Sequence, residues 1–504
     1  MEQERLQEQL MQRQQRHQKL QQELALQQHK LQQEKDLNEQ QVQLQQKLLR
    51  QQEQLLQQQK LQQKELQQLD SSIVQIPLYQ GLQISPQVLQ LIQQSRNVLA
   101  PQQNGQFPTP VAVQPQQHAP ILEGPTNPDD FTEETIERDS KLTTVELIAQ
   151  YHYPVETHYV TTGDGYVLCL HRIPRPDSQP ILLVHGLMSS SASWVQMGPR
   201  NGLAYILFRR GYDVWMLNTR GNVYSKKHSN PRIKPSSYWS FSFHEIGKFD
   251  LPATIDFILN TTGLAKVQYI GHSQGCTAFF VMCSERRGYA KKISLMQALS
   301  PTTYMKHTRS PVLQFLSLFK HRFTVMLNLL GGFQLSLNTH LIRLFRKDIC
   351  NEKTSPICSV FDFIVCGFDW KQFNETLAPL VLGHVSQGAS TKQIYHYAQL
   401  HGVKKFQQFD HGSTANLQIY RQMTPPTYNL SAVTCKVALH YGSNDWLSSE
   451  KDVNRLYSNL PNCIENRQID FPQFSHYDFT ISKDVRPLVY NRVCDLVKQY
   501  AYVG

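Results

Sequence analysis

The chain has 504 residues, 40% of them apolar and 10% aromatic, with a formal net charge of +10. That length supports one large domain or two to three ordinary ones, and the absence of an apolar run of about 18 residues excludes an obvious transmembrane helix. The basic excess comes without zinc-finger spacing or an RNA-binding aromatic signature, so no nucleic acid is expected as a partner. A mildly basic globule accounts for the charge, as does a surface drawn to an anionic lipid interface.

Residues 1–70 consist mainly of Gln, Leu, Glu and Lys. Leucines recur at Leu20, Leu24 and Leu31, then at Leu37, Leu44, Leu48 and Leu55, in steps of four and seven with one break in phase. The segment reads as a coiled coil through which the chain would self-associate, or as Gln-rich low complexity without fixed structure. Its charged start is no signal peptide, which leaves a cytoplasmic location open. Residues 71–139 read as a Pro/Gln-rich linker, interrupted by Pro86, Pro101, Pro108, Pro110, Pro115, Pro120, Pro125 and Pro128.

From residue 140 the pattern turns globular. Thr144 to Gln150 predicts a short helix, and Val160 to His171 a hairpin turning at Gly163-Asp-Gly165. The runs Ile181–Val184, Tyr212–Leu217, Val267–Ile270, Met296–Leu299 and Val437–Tyr441 read as buried parallel strands. Strands alternating with helical stretches predict an α/β layered fold, with core segments at 140–300 and 431–504. Residues 301–430 break the rhythm. They are helix-rich and aromatic, and read as an insertion.

Within this frame, Val267 to Cys276 contains Gly271-x-Ser273-x-Gly275 between a β-run and a helical stretch, the context of a nucleophile elbow. Ser273 is the candidate nucleophile. Acyl transfer also needs two backbone donors for the developing oxyanion. The N–H of Gln274 is one candidate, and the N–H of Leu187, after Ile181-Leu-Leu-Val-His-Gly, is the other. A serine hydroxyl needs a base, and the base an orienting acid. In the chain order Ser, acid, His, Asp445 and His476 fit, each in a loop after a β-type run (Val437–Tyr441 and Arg467–Phe471). By position alone His401, His411, His440, Asp410 and Asp452 compete. The nine cysteines run from Cys169 to Cys494 without a CxxC pair, so no metal site and no cofactor is expected.

Taken together, these blocks resemble the acid lipase family of the α/β-hydrolase superfamily, which includes gastric lipase, lysosomal acid lipase and insect relatives. The resemblance runs from Leu142 to near the C-terminus. It is carried by Tyr153-Pro-Val-Glu156, Thr161-Thr-Gly-Asp-Gly-Tyr-Val-Leu168, His171-Arg-Ile-Pro174, His185-Gly-Leu187, Gly211-Tyr-Asp-Val-Trp215, Asn218-Thr-Arg-Gly-Asn222, Asp250-Leu-Pro-Ala253, Gly271-His-Ser-Gln-Gly275, Asn444-Asp-Trp-Leu447 and His476-Tyr-Asp-Phe479.

The resemblance implies an α/β-hydrolase core with a mostly parallel sheet and a helical cap at 301–430. It implies hydrolysis of triacylglycerol or steryl esters at an emulsion or membrane interface, with Ser273, Asp445 and His476 as the triad. Phe315, Leu316, Leu318 and Phe319 would line an apolar cap rim or pack inside the cap. It also implies a Cys350–Cys358 disulfide and a secreted or lysosomal setting, in which the sequons at Asn260, Asn374 and Asn429 would be glycosylated. The alternative is a catalytically silent lipid-binding or scaffold protein whose working part is the Gln-rich segment.

Overall fold

Five apolar runs form the centre of the sheet because both of their faces are covered. In a computed structural model of the chain, the described residues are 111–113, 132–322, 327, 332–335, 365–367, 369, 371–384 and 387–502. The segment 1–70, with the coiled-coil and self-association expectation, lies outside them, as does most of 71–131.

The strands are β1 (Val111–Val113), β2 (Val155–Thr161), β3 (Tyr166–Ile173), β4 (Pro180–Val184), β5 (Asp213–Leu217), β6 (Lys227–His228), β7 (Val267–His272), β8 (Ile293–Leu299), β9 (Gln334–Leu335), β10 (Ala389–Ser390), β11 (Lys436–Tyr441) and β12 (Cys463–Gln468). Among the described residues the main sheet runs β1-β2-β3-β5-β4-β7-β8-β11-β12, with β6 beside β3. The run from β5 to β12 is parallel throughout. The β1, β2, β3 and β6 pairings are antiparallel, as is β3 against β5.

Side chains alternate between two cores, as the strand period of two requires. Leu182, Val184, Trp215, Leu217, Val267 and Tyr269 face one core, together with the helices Leu251–Thr262 and Gln274–Glu285. Ile181, Leu183, Val214, Met216 and Ile270 face the other, with the helices Thr144–Ala149, Leu203–Arg209 and Asn491–Gln499. The result is three layers, helix on sheet on helix. Helix Gln274–Glu285 is buried continuously from Gln274 to Cys283. It therefore needs no polar face, unlike Asn491–Gln499, which buries only Val493, Cys494, Leu496 and Val497.

Between β8 and β11 no described strand joins the main sheet. β9 and β10 pair only with each other. Around them lie the helices Pro311–Ser317, Ala378–His384, Thr391–Leu400 and Ser413–Tyr420. Thr391–Leu400 packs Tyr395, Tyr397 and Ala398 into the same core as the helix after Ser273. Among the described residues no helix is long and apolar enough to cross a membrane.

Two expectations need correction. The stretch 71–139 is not linker to its end. β1 pairs with β2, and Glu133–Asp139 is a helix capped by Thr132. Its Ile136 is buried with Leu380 and Val381 of Ala378–His384; a single apolar residue among charges gives too little periodicity to read. The last strand is Cys463–Gln468 rather than Arg467–Phe471. As an edge strand it is only partly buried and reads as polar. The apolar Ile469 lies just beyond it, buried in the loop.

Candidate active site

Ser273 stands between β7 and helix Gln274–Glu285 at φ 52° and ψ −115°. This is a strained conformation for a residue with a side chain, and the surrounding packing must hold it. The flanking glycines explain how. A Cβ on Gly271 would come within 2.9 Å of the Cys276 nitrogen, and one on Gly275 within 2.3 Å of the Val184 carbonyl oxygen. The helix therefore packs directly on the end of β4. The same closeness brings the next loop to the serine: a Cβ on Gly186 would stand 3.2 Å from that of Ser273. Leu187 follows Gly186 beside the elbow, and Gln274 opens the helix.

Four adjacent strands deliver the polar groups at their C-terminal ends, where open parallel sheets place ligands. β7 ends at Ser273, β8 is followed by Ser300, β11 leads to Asp445 and β12 to His476. His476 Nε2 is 2.8 Å from Ser273 Oγ, and His476 Nδ1 is 2.8 Å from Asp445 Oδ2. Asp445 Oδ1 accepts the N–H groups of Leu447 at 2.8 Å and Ser448 at 2.7 Å. The three side chains are buried, Asp445 completely. The carboxylate only accepts hydrogen bonds, so Nδ1 carries the imidazole proton and Nε2 offers its lone pair to the serine hydroxyl.

The structure thus brings Ser273, Asp445 and His476 into one hydrogen-bonded chain and sets the loop of Leu187 beside Gln274. It places the competing residues elsewhere. His440 is buried within β11, 3.3 Å from Gln297 Oε1. Asp452 pairs with His307 at 2.8 Å, Asp410 accepts from Gly412 and Asn416, and His411 meets Phe409 edge to face. His401 ends helix Thr391–Leu400.

Several residues of the site escaped the sequence reading. Ser300 hydrogen-bonds Asp445 Oδ2, and its Oγ is 2.5 Å from His476 Nδ1. His272 Nε2 is 3.0 Å from the His476 carbonyl oxygen, and burial beside His476 pushes its pKa down to about 3. It is therefore a neutral donor that fixes the backbone of the base. His185, pushed to about 4 by burial, donates through Nδ1 to the Gly186 carbonyl at 2.7 Å and accepts from Thr219 N–H at 3.2 Å. It braces the loop that carries Leu187. Behind the base, Asp478 accepts Ser475 N–H; burial first, then the neighbouring carboxylate of Asp369 in the insertion, pushes its pKa well up. Only strand adjacency brings these groups together. Ser300 alone left a local signal, its place directly after the run Met296–Leu299.

Of the remaining candidates, Cys350 and Cys358 lie outside the described residues. Asn260 and Asn429 are exposed, whereas Asn374 is buried, its Oδ1 accepting from Thr376 N–H and Oγ1. Phe315 and Leu318 are exposed while Leu316 is buried, so the proposed rim residues divide between surface and core. Among the described residues no group of three His, Cys, Asp or Glu side chains could hold a metal ion.

Comparison with known proteins identifies the fold and the family. Residues 144–198 match a partial alpha/beta-hydrolase lipase region, and residues 179–481 match the alpha/beta hydrolase fold. The chain is 40% identical to Lipase 1 of Drosophila melanogaster, over 75% of this chain and 84% of that protein. It is 37% identical to gastric triacylglycerol lipase of Mus musculus, over 75% and 94%. It is 33% identical to the lysosomal acid lipase/cholesteryl ester hydrolase of Homo sapiens, over 72% and 93%.

Proposed function

The chain belongs to the acid lipase family of α/β-hydrolases, and from that premise we propose that it is a serine lipase cleaving triacylglycerol or steryl esters through an acyl-enzyme on Ser273. The observation that carries this reading is the chain of 2.8 Å contacts from Ser273 through His476 to Asp445.

In acylation, His476 Nε2 takes the Ser273 proton as Oγ bonds to the ester carbonyl carbon. The carbonyl π pair moves onto oxygen, where the N–H groups of Leu187 and Gln274 receive it. The intermediate collapses, the ester C–O bond breaks, and the leaving alkoxide takes the proton from His476 and departs as the alcohol. Water then gives a proton to His476 while its oxygen attacks the acyl carbon. Collapse returns that proton to Ser273 and frees the fatty acid. Asp445 keeps the imidazole in the working tautomer and stabilises its charged form. A silent carrier of the fold would gain nothing from a serine held at φ 52°.

The two exposed sequons and the relatives named gastric and lysosomal support a secreted or lysosomal setting for this chain. The activity is tested by titrating fatty-acid release from emulsified long-chain triacylglycerol and steryl ester between about pH 4 and 9. Release from either emulsion supports the reading. Turnover confined to soluble short-chain esters would replace it with a small-ester hydrolase.

A further inference from the structure

We propose that Ser300 is a positioning residue of this active site, holding the Asp445–His476 pair in the geometry that the base requires. The proposal rests on the catalytic reading of Ser273, Asp445 and His476.

Ser300 follows β8, whose last residue pairs with His272 of β7 on one side and His440 of β11 on the other. It is therefore wedged between the strand that presents the nucleophile and the strand that leads to the acid. The residue is completely buried, and its N–H donates to the His440 carbonyl at 2.8 Å. Its Oγ touches both Asp445 Oδ2 and His476 Nδ1. A hydroxyl has one proton and two lone pairs. The Asp445 carboxylate needs the proton, and the imidazole N–H can share itself between Asp445 Oδ2 and a Ser300 lone pair.

With Leu447 and Ser448 on Oδ1, this gives the carboxylate four donors. Both oxygens are then saturated, and rotation about the Cβ–Cγ bond would break bonds on each. The imidazole is held at Nδ1 by two acceptors rather than one.

The backbone points to the hydroxyl as the reason for a serine here. Ser300 has φ 54°, in the left-handed region where glycine is at ease and other residues are strained. For folding alone glycine would serve as well or better. This separates a positioning role from a structural one, because removing the hydroxyl by Ser300→Gly also relieves the backbone.

The test uses the full chain with p-nitrophenyl butyrate, a soluble ester for which KM is defined. Active sites are counted by the burst from diethyl p-nitrophenyl phosphate. Ser300→Gly is expected to lower kcat per titrated site roughly ten- to hundredfold, the loss typical of one hydrogen bond to a charged group. KM should be unchanged and Tm unchanged or raised. Ser300→Cys, with a weak S–H donor, should recover part of kcat. If Ser300→Gly does not fold, Ser300→Ala carries the same kcat expectation. A kcat per site within about twofold of wild type in the folded variant overturns the proposal, whatever happens to Tm. Ser273→Ala distinguishes the two failures. If it is inactive while Ser300→Gly is fully active, only the role of Ser300 falls; if it is itself active, the catalytic reading falls as well.

Discussion

The chemistry of the site depends on a few residues whose freedom has been removed. Gly275 sets the approach of the helix to β4, and nothing larger fits, because a Cβ there would meet backbone rather than a side chain that can swing away. Gly275→Ala should therefore displace Ser273 from His476 or force β4 outward. The expected result is a near-complete loss of ester turnover with a fall in stability of about 1–3 kcal/mol, the usual cost of overpacking, read by thermal melting beside the rate assay. Unchanged turnover would mean that the elbow is looser than its contacts indicate. At this scale order along the chain and place after β-type runs made Asp445 and His476 candidates beside several competitors, and the resemblance to the family singled them out. Ser300, marked only by its place after a strand, and His272 were not picked out, because the partners of both lie far away in sequence.

Elements were legible in proportion to their burial. The central strands β4, β5 and β7 are buried at every position and stand out as apolar-rich runs, although Asp213, Gln268 and His272 are buried within them. β12 does not, because an edge strand keeps one side toward water. The helix Glu133–Asp139 was missed because its cap and acidic first turn resemble the polar sequence before it. The insertion was legible only as a break in rhythm; Gln393 reaches Gln274 through side chains, and other contacts that tie it to the site run to backbone groups without sequence signature. Trp446, next to Asp445, accepts Arg309 N–H at 2.7 Å and Thr308 Oγ–H at 2.6 Å through its carbonyl, and donates its own N–H to the Cys366 carbonyl at 3.1 Å. The loop of the acid and the described parts of the insertion are thereby hydrogen-bonded to one another.

Across the whole molecule, burial of titratable groups sets the pH dependence of stability. Burial pushes His171, His185 and His440 down to about 4, and His272 and His396 to about 3. Between those values and about 6.5 the unfolded chain binds more protons, so this contribution is present above pH 6.5 and is lost as pH falls through the window. Asp250, Asp369 and Asp478 act in the opposite sense. Burial raises all three, so their contribution is complete below 3.8 and is lost as pH rises through the folded values. Each group changes stability by about 1.4 kcal/mol per pH unit within its window, and the five histidines outnumber the three carboxyls. Tm should therefore be higher at pH 7.5 than at pH 5. A Tm that rises on acidification would show that the buried carboxyls, rather than the histidines, govern the fold.

The central claim is that Ser273 forms the acyl-enzyme, and the most direct measurement is the turnover of emulsified triacylglycerol by Ser273→Ala beside the wild-type chain. The account predicts wild-type hydrolysis, and a variant with the same melting temperature whose rate is lower by several orders of magnitude. A folded Ser273→Ala that keeps its rate within about tenfold of wild type would contradict it.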